Sequence, residues 1–343
     1  MPDSSTITPR KSFFRSKKSE LIPFVLGLCV LAYLVYRFGF STLLSNLIAT
    51  GWTFGLIIGL WLFIYILNTT AWRLALGPDG ERISSPRLFQ ITVSGFALND
   101  MTPFLAIGGE PYRISVLSEL LGRDKSVSAV TLYRMIFSLG HLLFLLVGIL
   151  AVLVALELPP SVKLPLAAIG LILVAIISIL ISGHRGGVFE RIHGRVQRWR
   201  VLGRLLKRIP VNQESLRQMD ELIMNVYHKR KKNFYGAIGC EFFSRCCMSL
   251  EIFLILRSIG LPVDLAQAFF LFLTFSILIN LFFAVPYNLG VREGGFYFAL
   301  ESLALPPMIG VYLGIVMRIR EFFWYFVGLS FIALAGLRKP KTT

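Results

Sequence analysis

Apolar residues along this chain gather in long, nearly unbroken blocks, and that pattern predicts helices buried in hydrocarbon. Leu142 to Leu156 is the plainest case. Several blocks reach the roughly 20 residues a helix needs to cross about 30 Å of lipid. The short alternating segments of a membrane β-barrel do not occur. The pattern predicts helices over Leu21 to Phe38, Trp52 to Trp72, Ser126 to Leu156, Val162 to Gly183, Phe234 to Leu256 and Met308 to Leu337. Two further blocks, Leu88 to Leu98 and Leu265 to Val285, run straight into residues that lipid does not tolerate unaided.

The first interruption is Asn99-Asp-Met-Thr-Pro103-Phe-Leu-Ala-Ile-Gly108-Gly109-Glu110-Pro-Tyr-Arg113. The second is Pro286-Tyr-Asn-Leu-Gly290-Val-Arg292-Glu293-Gly294-Gly295. Proline precedes glutamate by seven positions in both. Broken helices bearing charges inside a membrane line a path or a binding site. Placed at a membrane surface, the same residues would be ordinary loops.

Charge then sets the topology. The net charge is +16, and 13 Lys/Arg against four Asp/Glu crowd into His184 to Lys232. Positive charge beside spans marks the cytoplasmic face. If that segment is inside, Val162 to Gly183 runs inward and Ser126 to Leu156 outward. Glu119 to Lys125 then shares a face with Arg73 to Arg87. Leu88 to Arg113 therefore leaves one face and returns to it, as a re-entrant hairpin. The same parity leaves residues 265–306 as two crossings or a second hairpin dipping from the outer side. Ser126 to Leu156 exceeds one span, which suggests an interfacial start or a break near Gly140-His141.

The resulting organisation is a basic cytoplasmic leader (1–20), a first transmembrane half (21–183) and a basic amphipathic segment on the inner leaflet (184–233). A second transmembrane half (234–337) and a cytoplasmic tail (338–343) complete it. The fold class is an all-α integral membrane protein with six to eight spans, one or two re-entrant hairpins and room for an inverted repeat. Both termini are expected on the cytoplasmic side of the cell's inner membrane.

Chemistry narrows the functions. The four cysteines lie in or beside apolar runs and the four histidines are scattered, so no metal or disulfide framework is expected. No P-loop, HExxH, GxSxG or Asp-rich diphosphate motif occurs, so neither a cofactor nor a catalytic residue is assigned. The basic runs sit between spans and lack aromatic platforms, which excludes nucleic acid as a partner. Arg113, Arg134 and Arg292 are charged forks suited to phosphate oxygens. Glycines 108, 109 and 290 allow a headgroup to approach the backbone. Glu110 and Glu293 could balance the arginines, orient them or meet an amine. Internal Arg/Glu pairs that merely fix each hairpin are the structural counterpart of this reading. Glu241 and Arg245, four apart on one helical face, can also pair.

At these motifs the chain resembles a known family. Asn99-x3-Pro103-x4-Gly108-Gly109-Glu110-Pro111-x-Arg113, followed by Pro286-x3-Gly290-x-Arg292-Glu293, is similar to the flippase-like transmembrane domain of the lysylphosphatidylglycerol synthase/flippase proteins. The resemblance covers roughly residues 20–337. It implies a site built from Asn99, Pro103, Gly108, Gly109, Glu110, Arg113, Pro286, Gly290, Arg292 and Glu293. It implies movement of a phospholipid or lipid-linked substrate between leaflets. With the chain stopping at Thr343, no room is left for the family's synthase domain. Anionic inner-leaflet lipids and a separate lipid-modifying enzyme are the further partners expected, and oligomeric state stays open. A membrane enzyme acting on a lipid or polyprenyl-linked substrate, or an accessory structural protein, are the alternatives.

Overall fold

The structure, a computed structural model, describes residues 41, 44, 45, 48, 50–101, 108–182, 230–283, 285, 288 and 290–337. The described residues form ten helices: α1 (Thr53–Leu76), α2 (Pro78–Glu81), α3 (Ser85–Met101), α4 (Gly109–Leu121), α5 (Arg123–Ala155), α6 (Pro160–Ser182), α7 (Lys231–Ser258), α8 (Leu265–Leu281), α9 (Val291–Ser302) and α10 (Ile309–Leu337). The basic leader, most of the amphipathic segment, the tail, Pro103 and Pro286 lie outside the described residues.

Among the described residues, three helices are long and apolar enough to cross a membrane: α1, α5 and α6. With 28 and 29 residues, α7 and α10 are also long enough, at about 1.5 Å per residue, but carry charges inside. The interior is largely apolar, but the outer surface is apolar as well and several charges are buried. Leu62, Phe63, Val154, Leu164 and Phe326 face outward, whereas Glu241, Arg245, Glu251, Glu293 and Arg320 are buried. Lipid supplies no hydrophobic drive between helices, so close packing and internal polar contacts must hold the bundle.

Two faces of the bundle can be identified from contacts. On one, Lys125 lies 3.9 Å from Asp79, and the Arg230 guanidinium sits against Gly77. The α1–α3 connection and the starts of α5 and α7 therefore share this basic face. On the other, the Tyr312 hydroxyl bonds to Thr50 and Ser258, joining the starts of α1 and α10 to the end of α7.

These faces locate the ends of both interrupted segments. The α3–α4 pair leaves the basic face at Ser85 and returns to it at Leu121, one residue before α5. It is a re-entrant hairpin. The α8–α9 pair leaves the opposite face after Ser258 and returns before Ile309. Its second arm has 12 residues, about 18 Å of helix, too short to cross. Of the two routes open for residues 265–306, the chain takes the second hairpin.

The order span, hairpin, span thus occurs twice in opposite directions, as α1–α3–α4–α5 and α7–α8–α9–α10. Packing follows the same inversion: α1 lies along α7, α3 packs on α10, and α8 packs on α5. Glycines permit the tightest crossings. A Cβ on Gly328 would stand 2.7 Å from the Ala97 Cβ, and one on Gly310 would stand 2.6 Å from the Tyr297 nitrogen. α5 is continuous through Gly140 and His141. Gly140 serves contact instead of a break, since its Cβ would meet the Glu241 side chain at 2.6 Å.

Candidate functional site

Each hairpin turns so that its second arm starts inside the bundle. The N-termini of α4 and α9 are positive dipole ends, and both point inward from opposite faces. Arg134 lies eleven residues, about 16 Å, along α5 from the basic face, and Arg318 nine residues, about 14 Å, along α10 from the other. Each tip packs against one of these arginines near mid-depth.

At the first break, Asn99 closes the gap between the arms. Its Oδ1 accepts from the Gly109 N–H at 2.6 Å, and its Nδ2 donates to Glu110 Oε1 at 3.2 Å. The same carboxylate oxygen accepts from Arg134 at 3.1 Å, while Glu110 Oε2 is buried with no partner among the described residues. Gly109 is required here, because a Cβ would lie 2.0 Å from the Gly95 carbonyl oxygen. Gly108 forms the bend just before it.

Arg113 does not join this ion pair. Its side chain is 2% exposed and caged by Phe96, Trp72 and Tyr133, with ring centroids 4.7, 5.4 and 5.6 Å from its guanidinium carbon. One N–H reaches the Thr92 carbonyl at 3.4 Å, and Nε has no partner among the described residues. No described carboxylate lies within ion-pair distance. Cation–π contact stabilises such a group, but a buried guanidinium with free N–H groups remains an anion-seeking feature.

At the second break, Glu293 turns back on its own helix and accepts from the Gly290 N–H at 2.9 Å. Its other oxygen accepts from Arg318 Nη2 at 2.9 Å and Nε at 3.1 Å. The partner of Glu293 is thus on α10, not its neighbour Arg292. Arg292 instead meets Glu321 at 2.8 Å, and its Nε and Nη1 are buried with no partner among the described residues. In neither motif do the paired Arg and Glu simply neutralise one another. Both glutamates are tied to the following long helix, and Arg113 and Arg292 keep donors to spare.

Asp100 lies next to Asn99 at the end of α3. It is exposed, yet stands in the fields of Glu321, Arg320, Arg292 and Arg113. The arrangement offers spare guanidinium donors, two helix N-termini and one carboxylate, a set able to hold a zwitterionic or anionic headgroup.

Residues outside the two motifs complete the surroundings. Arg320 forms a two-pronged pair with Glu251 at 2.9 and 3.1 Å, stacks 3.7 Å over Trp61 and approaches Glu321 at 3.8 Å. Trp61 donates to Glu251 at 2.9 Å. Glu241 and Arg245 pair at 3.0 Å as their spacing predicts, and Glu241 also receives Asn68 and Tyr133. Arg318, Arg320 and Glu321 lie part-way along α10, outside both motifs. Their three-residue spacing inside an apolar helix was the available signal. Asp100, next to Asn99, carried the same signal.

Among the described residues no cluster of His, Cys, Asp or Glu could hold a metal ion. No curated protein and no solved structure matches the chain. The family model for the lysylphosphatidylglycerol synthase TM region does match, over residues 21–328. That match spans the greater part of the sequence and includes both hairpins, so the chain belongs to the lysylphosphatidylglycerol synthase transmembrane-region family.

Proposed function

We propose that this protein moves a phospholipid, or a lipid-linked polar headgroup, between the two leaflets of the cell membrane. One observation carries the reading: each of two hairpins begins its second arm inside the bundle beside a buried guanidinium whose N–H groups have no partner among the described residues. Such donors are costly to bury empty. A headgroup phosphate or carboxylate would satisfy Arg113 and Arg292, and Asp100 would meet an amine on the same headgroup. Glu110 and Glu293 hold the tips in register with Arg134 and Arg318. The acyl chains would stay in lipid while the headgroup crosses, so no covalent step is required. The basic face is the cytoplasmic one in this reading, with both termini there.

The test is headgroup translocation by purified protein in liposomes, followed by quenching of a labelled phospholipid in the outer leaflet. Arg113→Ala and Glu293→Gln are each expected to abolish translocation while membrane insertion and monodispersity persist. Full transport by the double variant would remove these residues from the site.

A further inference from the structure

Outside the charged interior, the structure contains a groove of about 400 Å³ on the flank of the bundle, between α1 and the first turns of α3. On α1 it is lined by Leu62, Ile66, Thr69, Thr70 and Arg73, which recur at helical spacing along one stripe. Ser85 and Phe89 close it from α3.

Its chemistry is graded along its length. At the basic face stand the Arg73 guanidinium and the exposed Ser85. Deeper, the walls become Phe89, Ile66 and finally Leu62. The two threonines between them spend their hydroxyls on the Tyr65 and Ile66 carbonyls, at 2.7 and 2.8 Å, and so present methyl groups without seeking a partner. Arg73 is aimed by one bond, from Nη2 to the Ile83 carbonyl at 2.6 Å. Arg82 is exposed on the same turn and Arg87 half-buried beside it.

Length identifies the occupant. From Arg73 to Leu62 is eleven residues, about 16 Å of helix. That is half of the roughly 30 Å hydrocarbon core. The groove therefore runs from headgroup level to the bilayer middle, the reach of one acyl chain in one leaflet. A soluble anion would use only its upper end. A partner helix would need an apolar stripe through both leaflets.

We infer that this groove is a binding site for an anionic phospholipid of the leaflet on the basic face, its phosphodiester at Arg73 and Ser85 and one acyl chain against Ile66 and Leu62. The site is distinct from the charged interior and does not depend on transport.

The experiment is photo-crosslinking of the full chain in liposomes of equal phosphatidylglycerol and phosphatidylcholine. p-Benzoylphenylalanine replaces Thr70, and the adducts are weighed. A diacyl phospholipid adduct is expected, enriched in phosphatidylglycerol by about fivefold, the effect of roughly 1 kcal/mol from one basic residue near the headgroups. Arg73→Gln should return the ratio to that of the vesicle, and Arg73→Lys should keep the enrichment, with both variants monodisperse. An adduct to a peptide of residues 1–40 or of a second copy would overturn the site, as would an enrichment indifferent to Arg73→Gln. Loss of translocation in the Arg113→Ala protein with this adduct retained would separate the two sites.

Discussion

Glycine and arginine decide the site together. The Arg113 guanidinium reaches its aromatic cage only because Gly95 has no side chain, since a Cβ there would lie 2.2 Å from Arg113 Nε. Gly95→Val is therefore expected to push Arg113 out and destabilise the protein by about 1–3 kcal/mol, as overpacking does. Thermal unfolding in detergent, beside Gly55→Val as a control with open space at its Cβ, would measure it. Equal midpoints for the two variants would count against the packing argument. Much of this scale was legible beforehand: Asn99, Gly109, Glu110 and Glu293 were picked from two short motifs, and each makes a contact that closes a hairpin. The pairing was not legible. Glu110 chose Arg134 and Glu293 chose Arg318, because neighbours on one short helix point to different sides while the next long helix passes the tip.

At the scale of elements, helix length and charge distinguish a crossing from a hairpin. α4 and α9 contain 13 and 12 residues, less than lipid thickness demands. Their broken ends survive because protein covers them: Asn99 at one tip and the Glu293 carboxylate at the other take up backbone N–H groups that hydrocarbon could not. A direct check is labelling with a membrane-impermeant maleimide in oriented vesicles, with native cysteines replaced. Ser85→Cys and Glu119→Cys should react from one side, and Leu265→Cys and Glu301→Cys from the other. Opposite labelling within either pair would mean that the pair crosses the membrane. Parity of charge already required the first hairpin. It could not choose for the second, because the outer connections carry almost no charge to mark them.

Across the whole molecule, inversion packs α3 on α10 and α8 on α5, and a buried ion pair joins two of the long helices, α7 and α10. Glu251 on α7 and Arg320 on α10 are 1% and 4% exposed, and Trp61 on α1 covers them. Breaking a buried pair from one side leaves an uncompensated charge, at a cost of about 3–5 kcal/mol. Glu251→Gln should therefore lower stability markedly in denaturant titration of the micellar protein. The double change Glu251→Leu with Arg320→Leu should recover most of the loss. A double variant no better than the single would show that the pair does more than balance charge.

What the chain determined by itself was local and additive. Apolar block length marked the long helices of an all-α membrane protein, and Pro, Gly and charge within apolar surroundings marked the two interruptions. Each of these acts over one or two helical turns, or through a transfer energy that depends only on composition. Tertiary structure decided which buried charge meets which, and that Arg113 lies among rings with its Nε unpartnered among the described residues. Those outcomes join residues as far apart in the chain as Trp61 and Glu251, or Glu251 and Arg320. In a low-dielectric interior their energies follow from distances of a few ångströms, and only the packed bundle sets those distances.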